Sequence, residues 1–337
     1  MTTVNTDIAI IGSGPAGLTA AIYAVRAGLT AHVIAGYAWG GQLMFTGRVD
    51  NYPGFPEGVE GPELMQRMRD HAEAQGAIVL DDEVEQLIPG AHTAQRAPIH
   101  TIKTMSGEEI VARAVILATG SEPKWLGIPN EERLRAGGVS SCATCDGAFF
   151  RGKDVLIVGG GDTAMEETLH LAKLVNHVTV VHRRDTLRAT QAMVNRVKEQ
   201  PNVSFALERV PVNVEGDKKV TGLTVQKPDG STETIPADGV FVAIGHNPTV
   251  RLVEGIIPLS EYGTAVRLPN STQTTVPGLF VAGDVWDHHY RQAITAAGDG
   301  CRAAMDAERW LGAPRLDSAE RYPDYPADAE LLATAKA

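Results

Sequence analysis

The sequence predicts an α/β chain built from two doubly wound parallel-sheet units, with one unit inserted into the other. The main sign is a glycine-rich turn between an apolar strand and a helix, found at Gly12–Gly17 and again at Gly159–Ala164. Each turn is followed by a second β-rich segment, so each completes a βαβ unit. The second sign is a pair of apolar strands that stop at glycine and then proline, near 119–123 and 245–248. Chain crossings between units look like this. A length of 337 residues leaves room for two cores at ~150 residues per domain.

Residues 6–11 read as a short buried strand, 15–27 as a run of good helix formers, and 31–35 as the second strand. The turn Gly12-Ser13-Gly14-Pro15-Ala16-Gly17 matches GxGxxG at the strand-to-helix junction. In that pattern the first glycine permits the tight turn and the second lets backbone approach a pyrophosphate. The third allows close helix–strand packing, and the helix N-terminus stabilises the phosphate charge. An acidic residue normally follows about 20 residues on and receives a ribose hydroxyl. Here that place holds Ala35-Gly36-Tyr37, with no acid.

The second copy runs from the strand 154–158 through Gly159-Gly160-Gly161-Asp162-Thr163-Ala164 into a helical stretch from Met165 towards Leu174. A strand at 177–181 follows. Its end carries His182-Arg183-Arg184, with Arg188 one turn further on. Arginines there accommodate a 2′-phosphate, so the cluster argues for NADPH over NADH. A solvated basic turn is the plainer alternative. Residues 278–284 read as a buried strand ending in Gly283-Asp284, and Tyr290-Arg291-Gln292-Ala293 open a helix to about Leu311. Asp284 reads equally as an acceptor for a polyol chain such as a flavin ribityl and as a helix cap. The strands closing at Ala118-Thr119-Gly120 and at Ile244-Gly245 mark the crossings. The stretch 313–337 lacks an apolar period and reads as a loose tail or surface wrap.

Composition narrows the function class. Hydrophobic residues make up 43% and charged residues 21%, ordinary for a globular protein. Thirty basic against 41 acidic residues give a net charge of −11, which repels phosphate backbones and argues against nucleic acid as partner. No apolar run is long enough for a membrane span, and the start of the chain lacks the basic residues of a signal peptide. A cytoplasmic protein is expected. In a reducing compartment the CxxC pair Cys142 and Cys145 reads as catalytic or metal-binding rather than as a structural bridge. Zinc is the weaker option, because no second CxxC or HxxxH supplies the remaining ligands. Cys301 is expected to be a buried, inert thiol, and His288-His289 to line a cofactor pocket rather than bind metal.

Two nucleotide-binding turns, an inserted unit and a CxxC together resemble the pyridine-nucleotide disulfide oxidoreductases. The pair lies shortly before the second fingerprint rather than near the first. That arrangement is similar to the low-molecular-weight thioredoxin reductases. GSGPAG at 12–17, GGQL at 40–43, NYPGFPEG at 51–58, CATCDG at 142–147, GGGDTA at 159–164, HRRDTLR at 182–188 and GDVWDHHYRQA at 283–293 carry the resemblance.

The resemblance implies two Rossmann-like domains. An FAD-binding domain is expected in two parts, 1–119 and 247–312, with an NADPH-binding domain at 120–246 that carries the cysteines and a tail at 313–337. FAD would be held by Gly12, Ser13, Gly14, Pro15, Ala16 and Gly17. Gly41, Gln42, Asn51, Thr119 and Gly120 would join them, with Gly283, Asp284, Arg291, Gln292 and Ala293 from the second part. NADPH would be held by Gly161, Asp162, Thr163, Ala164, His182, Arg183, Arg184, Arg188, Ile244 and Gly245. Asp162 departs from the small polar residue usual at its position and reads better as a cap for the following helix.

The implied activity is reduction of thioredoxin. NADPH would reduce the flavin, the flavin would open a Cys142–Cys145 disulfide, and the dithiol would reduce the disulfide of thioredoxin. By the same resemblance Cys145 faces the flavin and Cys142 attacks the partner. Asp146 is expected to carry the proton for the departing thiolate, with a simple turn residue as the alternative. The cysteines share a unit with the NADPH motif while the flavin motifs lie on the other. The inserted unit is therefore expected to rotate about the crossings between half-reactions. A covalent tie between the units that left turnover unchanged would contradict that. The resemblance also implies a homodimer. The competing reading is a flavin-dependent dithiol oxidase acting on a small-molecule dithiol with oxygen, and the arginine cluster argues against it.

Overall fold

The computed structural model describes residues 3–91 and 98–312, and the tail at 313–337 lies outside them. By chain order the described residues form two compact units, one from 3–122 with 248–312 and the other from 123–247.

The first unit is organised by a seven-stranded sheet. Its central strand, Thr3–Ile11, is parallel to Ala31–Ile34 on one side and to Glu109–Leu117 on the other. Ile78–Leu80 extends the parallel set beyond Ala31–Ile34, and Leu279–Val281 pairs in parallel with Glu109–Leu117. The apolar run from Ile8 to Ile11 is continuous because the sheet is covered on both faces. Ile8 and Ile10 face a cluster with Leu18, Ala20, Ala21 and Ala24 of the helix Pro15–Arg26 and Ala303 and Ala307 of the helix Ala293–Gly312. Ala9 and Ile11 point the other way, against Leu117, Val253, Ile257 and Val281. The two helices approach closely because their facing residues are small. A side chain on Gly300 would collide with the Ala16 carbonyl.

The sequence reading did not anticipate the antiparallel part of this sheet. His100–Thr104 runs antiparallel to Glu109–Leu117, and Val84–Ile88 antiparallel to His100–Thr104. The strand His100–Thr104 alternates buried and half-exposed positions, so its period is two and it carries no glycine signature.

The second unit has a five-stranded parallel sheet in the order Val139–Ser140, Gly239–Val242, Asp154–Val158, His177–His182, Val203–Leu207. Val155, Ile157, Val178, Val180 and Phe241 pack one face against Met165 and Leu171 of the helix Asp162–Ala172. Leu156, Val158, Val240 and Val242 pack the other against Leu223 and Val225. Those last two belong to a separate antiparallel sheet, Val210–Gly216, Val220–Gln226 and Thr232–Pro236. Both units therefore have the Rossmann-like βαβ core expected, each with antiparallel strands added.

Candidate active site

In the first unit the glycines of the first fingerprint divide their work as the pattern requires. Gly12 sits at φ +111°, and a Cβ there would strike the Ala118 carbonyl. Gly17 lies against the Gly12 carbonyl, so it too excludes a side chain. Gly14 faces open space, with nothing within 4 Å of a built Cβ. That bare backbone stands at the N-terminus of Pro15–Arg26, whose first turn holds no acid to oppose an anion. The Ser13 hydroxyl donates to the Ala35 carbonyl at 2.9 Å and accepts from the Gly40 N–H at 2.8 Å. The hydroxyl of this buried residue therefore fixes the loop.

Two of the other residues expected at this place pack against the fingerprint. Gly41 packs on Gly14, with a built Cβ 3.6 Å from the Gly14 Cα, and Gly283, at φ +75°, packs on Ala16. The Asn51 amide donates to Gln292 Oε1 at 3.3 Å. Thr119 Oγ1 donates to the Thr249 carbonyl at 2.7 Å, and Thr249 N–H to the Gly120 carbonyl at 3.0 Å. Gln42 lies exposed in the turn Gly41–Phe45.

Asp284 follows Gly283 in a single 3-10 turn and makes no capping bond, so the helix-cap reading falls. Its Oδ1 is sealed from solvent and has no hydrogen-bond partner among the described residues. Burial, with Asp287 and Asp299 nearby, pushes its carboxyl up to about 7. A polyol hydroxyl is the group such an orphaned acceptor fits. Asp287 was missed by sequence reasoning. It is buried and accepts from the backbone N–H groups of His289 at 2.8 Å, Tyr290 at 2.9 Å and Arg291 at 3.3 Å, and so shapes the loop before the last helix. His288 stacks on Tyr262 with centroids 4.1 Å apart. Asp299, also buried, accepts from Trp286 Nε1 at 2.5 Å and pairs with Arg302 and Arg267.

The raised carboxyl of Asp284 makes a pH prediction for the cofactor-free protein. Its folded value, about 7, exceeds the unfolded value of about 3.9. The favourable contribution of the bound proton is thus complete below about pH 4 and lost as pH rises towards 7, a swing of about 4 kcal/mol. Asp284→Asn is expected to flatten the profile. Thermal midpoints at pH 5 and 8 should fall less in the variant than in the wild type. Parallel profiles would contradict the burial argument.

In the second unit the fingerprint works the same way. A side chain on Gly159 would strike the Ala243 carbonyl, Gly161 faces open space, and Ala164 is fully buried. The His182 ring lies over Gly160, so close that a Cβ there would overlap it. Burial and, to a lesser degree, the neighbouring arginines hold His182 below its usual value. A cleft of about 360 Å³ joins Gly159 and Gly160 to His182, Arg183, Arg184, Arg188 and Ile244. Among the described residues the three guanidinium groups have no ion pair. Three cations without ion pairs at one cleft suit an anion, and all three side chains are exposed, as the solvated-turn reading also has them. Trp125, Leu126 and Ile128 supply an apolar wall that the sequence reading missed, because they sit in a loop without period. Gly245, at φ +106°, turns the chain beside Ile244.

Asp162 does not cap the helix. It is the first helical residue after the cap Gly161, and its carboxylate accepts from the Thr190 N–H and hydroxyl, both at 2.9 Å. Its charge is thereby drawn aside from the bare backbone of Gly161.

Cys142 and Cys145 are joined as a disulfide, with Cα atoms 5.3 Å apart. The pair opens the short helix Ala143–Asp146, which docks through the fully buried Ala143 and through Gly147 against Leu171. The Cys145 N–H donates to Cys142 Sγ at 3.2 Å, and Thr144 Oγ1 lies 3.3 Å from the same sulfur. Ser140, another residue missed, donates to Asp146 Oδ2 at 2.6 Å and accepts from the Cys142 N–H at 3.0 Å. Burial raises the Asp146 carboxyl above its ordinary value, and the Ser140 bond only partly offsets this. Cys301 is half-exposed rather than buried, with its sulfur 3.9 Å from that of Met305. Among the described residues no group of His, Cys, Asp and Glu forms a metal site, and no helix is long and apolar enough to cross a membrane.

A disulfide beside a half-buried carboxylic acid gives the second unit a dithiol–disulfide oxidoreductase centre, and each unit by itself carries a glycine-lined turn of the nucleotide-binding kind. The family described as pyridine nucleotide-disulphide oxidoreductase matches residues 6–300, and the chain belongs to that family. A thioredoxin reductase of Streptomyces clavuligerus is 47% identical over 309 residues, covering 91% of this chain and 94% of that protein. A bifunctional thioredoxin reductase/thioredoxin of Mycobacterium leprae (strain TN) is 47% identical over 306 residues, covering 90% of this chain but 66% of that longer protein. A solved thioredoxin reductase from Giardia duodenalis superposes with a TM-score of 0.86 at 38% identity, covering 92% of this chain and 100% of that one.

Proposed function

We propose that this chain is an NADPH-dependent thioredoxin-disulfide reductase that uses FAD and the Cys142–Cys145 pair. The observation that carries the reading is the disulfide itself, one of whose sulfurs accepts a backbone N–H while an acid of raised affinity for protons follows it. The cradles fit both cofactors. Bare backbone at Gly14 and the orphaned Asp284 suit a flavin dinucleotide, and bare backbone at Gly161 beside three unpaired arginines suits a 2′-phosphorylated one.

When bound, NADPH would supply a hydride and FAD would pass the electron pair on to the disulfide. The remaining steps belong to the chain. Arg183, Arg184 and Arg188 would hold the 2′-phosphate, and Asp284 would accept a hydrogen bond from a hydroxyl of the flavin side chain. In the dithiol state the Cys145 N–H and the Thr144 hydroxyl stabilise a thiolate on Cys142. That thiolate attacks one sulfur of the partner disulfide, forming a mixed disulfide and releasing the partner's other sulfur as a thiolate. Cys145 then attacks Cys142 Sγ, which re-forms the intramolecular bond and frees the partner's second sulfur. Asp146 takes the proton of the Cys142 thiol and passes it to the first leaving thiolate, then takes the Cys145 proton as that sulfur attacks and passes it to the second.

Asp146→Asn is expected to lower kcat with thioredoxin by about 10²-fold and to remove the basic limb of its pH profile. The acid form of Asp146 is lost as pH rises through its raised value, so the wild-type rate should fall on that side. An unchanged profile would return Asp146 to the turn-residue reading.

The proposal includes a cytoplasmic homodimer without nucleic-acid or membrane partners, in keeping with a net charge of −11. It is tested by NADPH oxidation with and without oxidised thioredoxin under argon and in air. Consumption that needs thioredoxin and ignores oxygen supports a reductase. Oxygen-dependent turnover with a small dithiol, without need of NADPH, would favour the oxidase.

A further inference from the structure

The first fingerprint lacks the acid that ordinarily ends its second strand and receives the adenosine ribose hydroxyls. The strand Ala31–Ile34 runs out instead into Ala35, Gly36 and Tyr37. The sheet offers a carboxylate from the side. Ile78–Leu80 pairs in parallel with Ala31–Ile34, placing Leu80 beside Ile34. The pairing continues beyond both strands, with the Ala35 N–H donating to the Leu80 carbonyl at 2.8 Å and the Gly36 N–H to the Asp82 carbonyl at 2.9 Å. Asp81, Asp82 and Glu83 are thereby carried to the end of the neighbouring strand, on the side of the sheet where nucleotides bind.

The three acids are not equivalent. Asp81 accepts two hydrogen bonds from Arg69, at 2.7 and 3.0 Å. Asp82 is buried and accepts from the Ser106 hydroxyl at 2.5 Å, the Tyr37 hydroxyl at 3.3 Å and the Glu83 N–H at 2.8 Å. Both carboxylates already have partners within the fold. Glu83 keeps a half-buried side chain whose carboxylate has no hydrogen-bond or ion-pair partner among the described residues. Its Oε2 lies 3.2 Å from where a Cβ on Gly36 would stand. Gly36 itself is at φ +79°, a conformation that disfavours any side chain. The Glu83 carboxylate thus stands in the space that a side chain at the end of the second strand would have entered.

We infer that Glu83 replaces the missing acid, its carboxylate accepting from the hydroxyls of the adenosine ribose of FAD. This rests on the reading of the first fingerprint as the FAD site. A hydrogen bond to a charged acceptor at such a place is worth about 10- to 100-fold in affinity. The test uses the yellow holoprotein. FAD release on dilution is followed by flavin fluorescence, and bound FAD is displaced by an excess of an analogue whose adenosine lacks the 2′-hydroxyl. Wild type should hold FAD at least about tenfold more tightly than the analogue. Glu83→Ala should bind the two alike, and Glu83→Gln, which keeps the shape and loses the charge, should fall between. Equal affinity of the wild type for FAD and the analogue would overturn the inference. So would unchanged discrimination in both variants. A protein that carries no flavin at all would instead overturn the reading beneath it.

Discussion

Cys145→Ser is expected to abolish thioredoxin reduction and to leave the partner covalently attached to Cys142. The first attack needs only Cys142, whose sulfur accepts the Cys145 N–H at 3.2 Å and sits 3.3 Å from the Thr144 hydroxyl. Serine keeps the backbone donor, so the thiolate on Cys142 retains its main support. What serine cannot do is displace the partner by closing an S–S bond. Turnover should fall by about 10³-fold or more, as when a member of a catalytic unit is removed. The mixed disulfide should be visible as an added mass equal to one partner chain, and a small thiol should release it. Cys142→Ser should be as inactive but should trap little partner. The opposite asymmetry would assign the attacking role to Cys145 and leave the N–H bond to Cys142 Sγ without a part in the exchange.

The second large effect is expected at the anion cleft of the inserted unit. Arg183→Ala combined with Arg184→Ala removes two of three unpaired guanidinium groups beside Gly159 and Gly160. Each charge-assisted bond to a 2′-phosphate contributes roughly 10- to 100-fold. KM for NADPH should therefore rise by about 10²-fold or more, while KM for NADH, which has no such phosphate, should change little. The kcat at saturation should be nearly retained, since the arginines bind ground state and transition state alike. Steady-state kinetics with both nucleotides read this directly. An equal loss with NADH would mean that the arginines hold the protein together rather than the phosphate.

These expectations draw unequally on sequence and structure. The glycine positions were legible because each has a steric reason independent of the rest of the fold. Gly12 and Gly17 exclude side chains by close backbone approach, and Gly14 and Gly161 leave open space. The strands were legible where both faces are buried, as at Ile8–Ile11 and Val155–Val158. The antiparallel strands were not, because their period of two is short and nothing in the motifs points to them. Ser140, Asp287 and Glu83 escaped for a shared reason. Each acts on residues that the chain reaches by a turn or by strand pairing, and residue type alone does not say where a carboxylate or hydroxyl will land. Asp162 was misread as a cap because its true partner, Thr190, lies on another segment. Cys301 was expected to be buried among small neighbours, yet the last helix leaves it half-exposed. Asp284 was open between two roles, and only the structure shows that its Oδ1 lacks a hydrogen-bond partner among the described residues.

The most direct measurement is a thiol count at the pair. The protein is treated with NADPH under argon, alkylated, digested and weighed as the peptide containing Cys142 and Cys145, before and after addition of oxidised thioredoxin. Two alkylated sulfurs should appear with NADPH and revert to the disulfide once thioredoxin is added, with an equal gain of thiols on thioredoxin. A disulfide that stays closed under NADPH, or a dithiol that thioredoxin does not reoxidise, would contradict the assignment of this pair as the path for electrons.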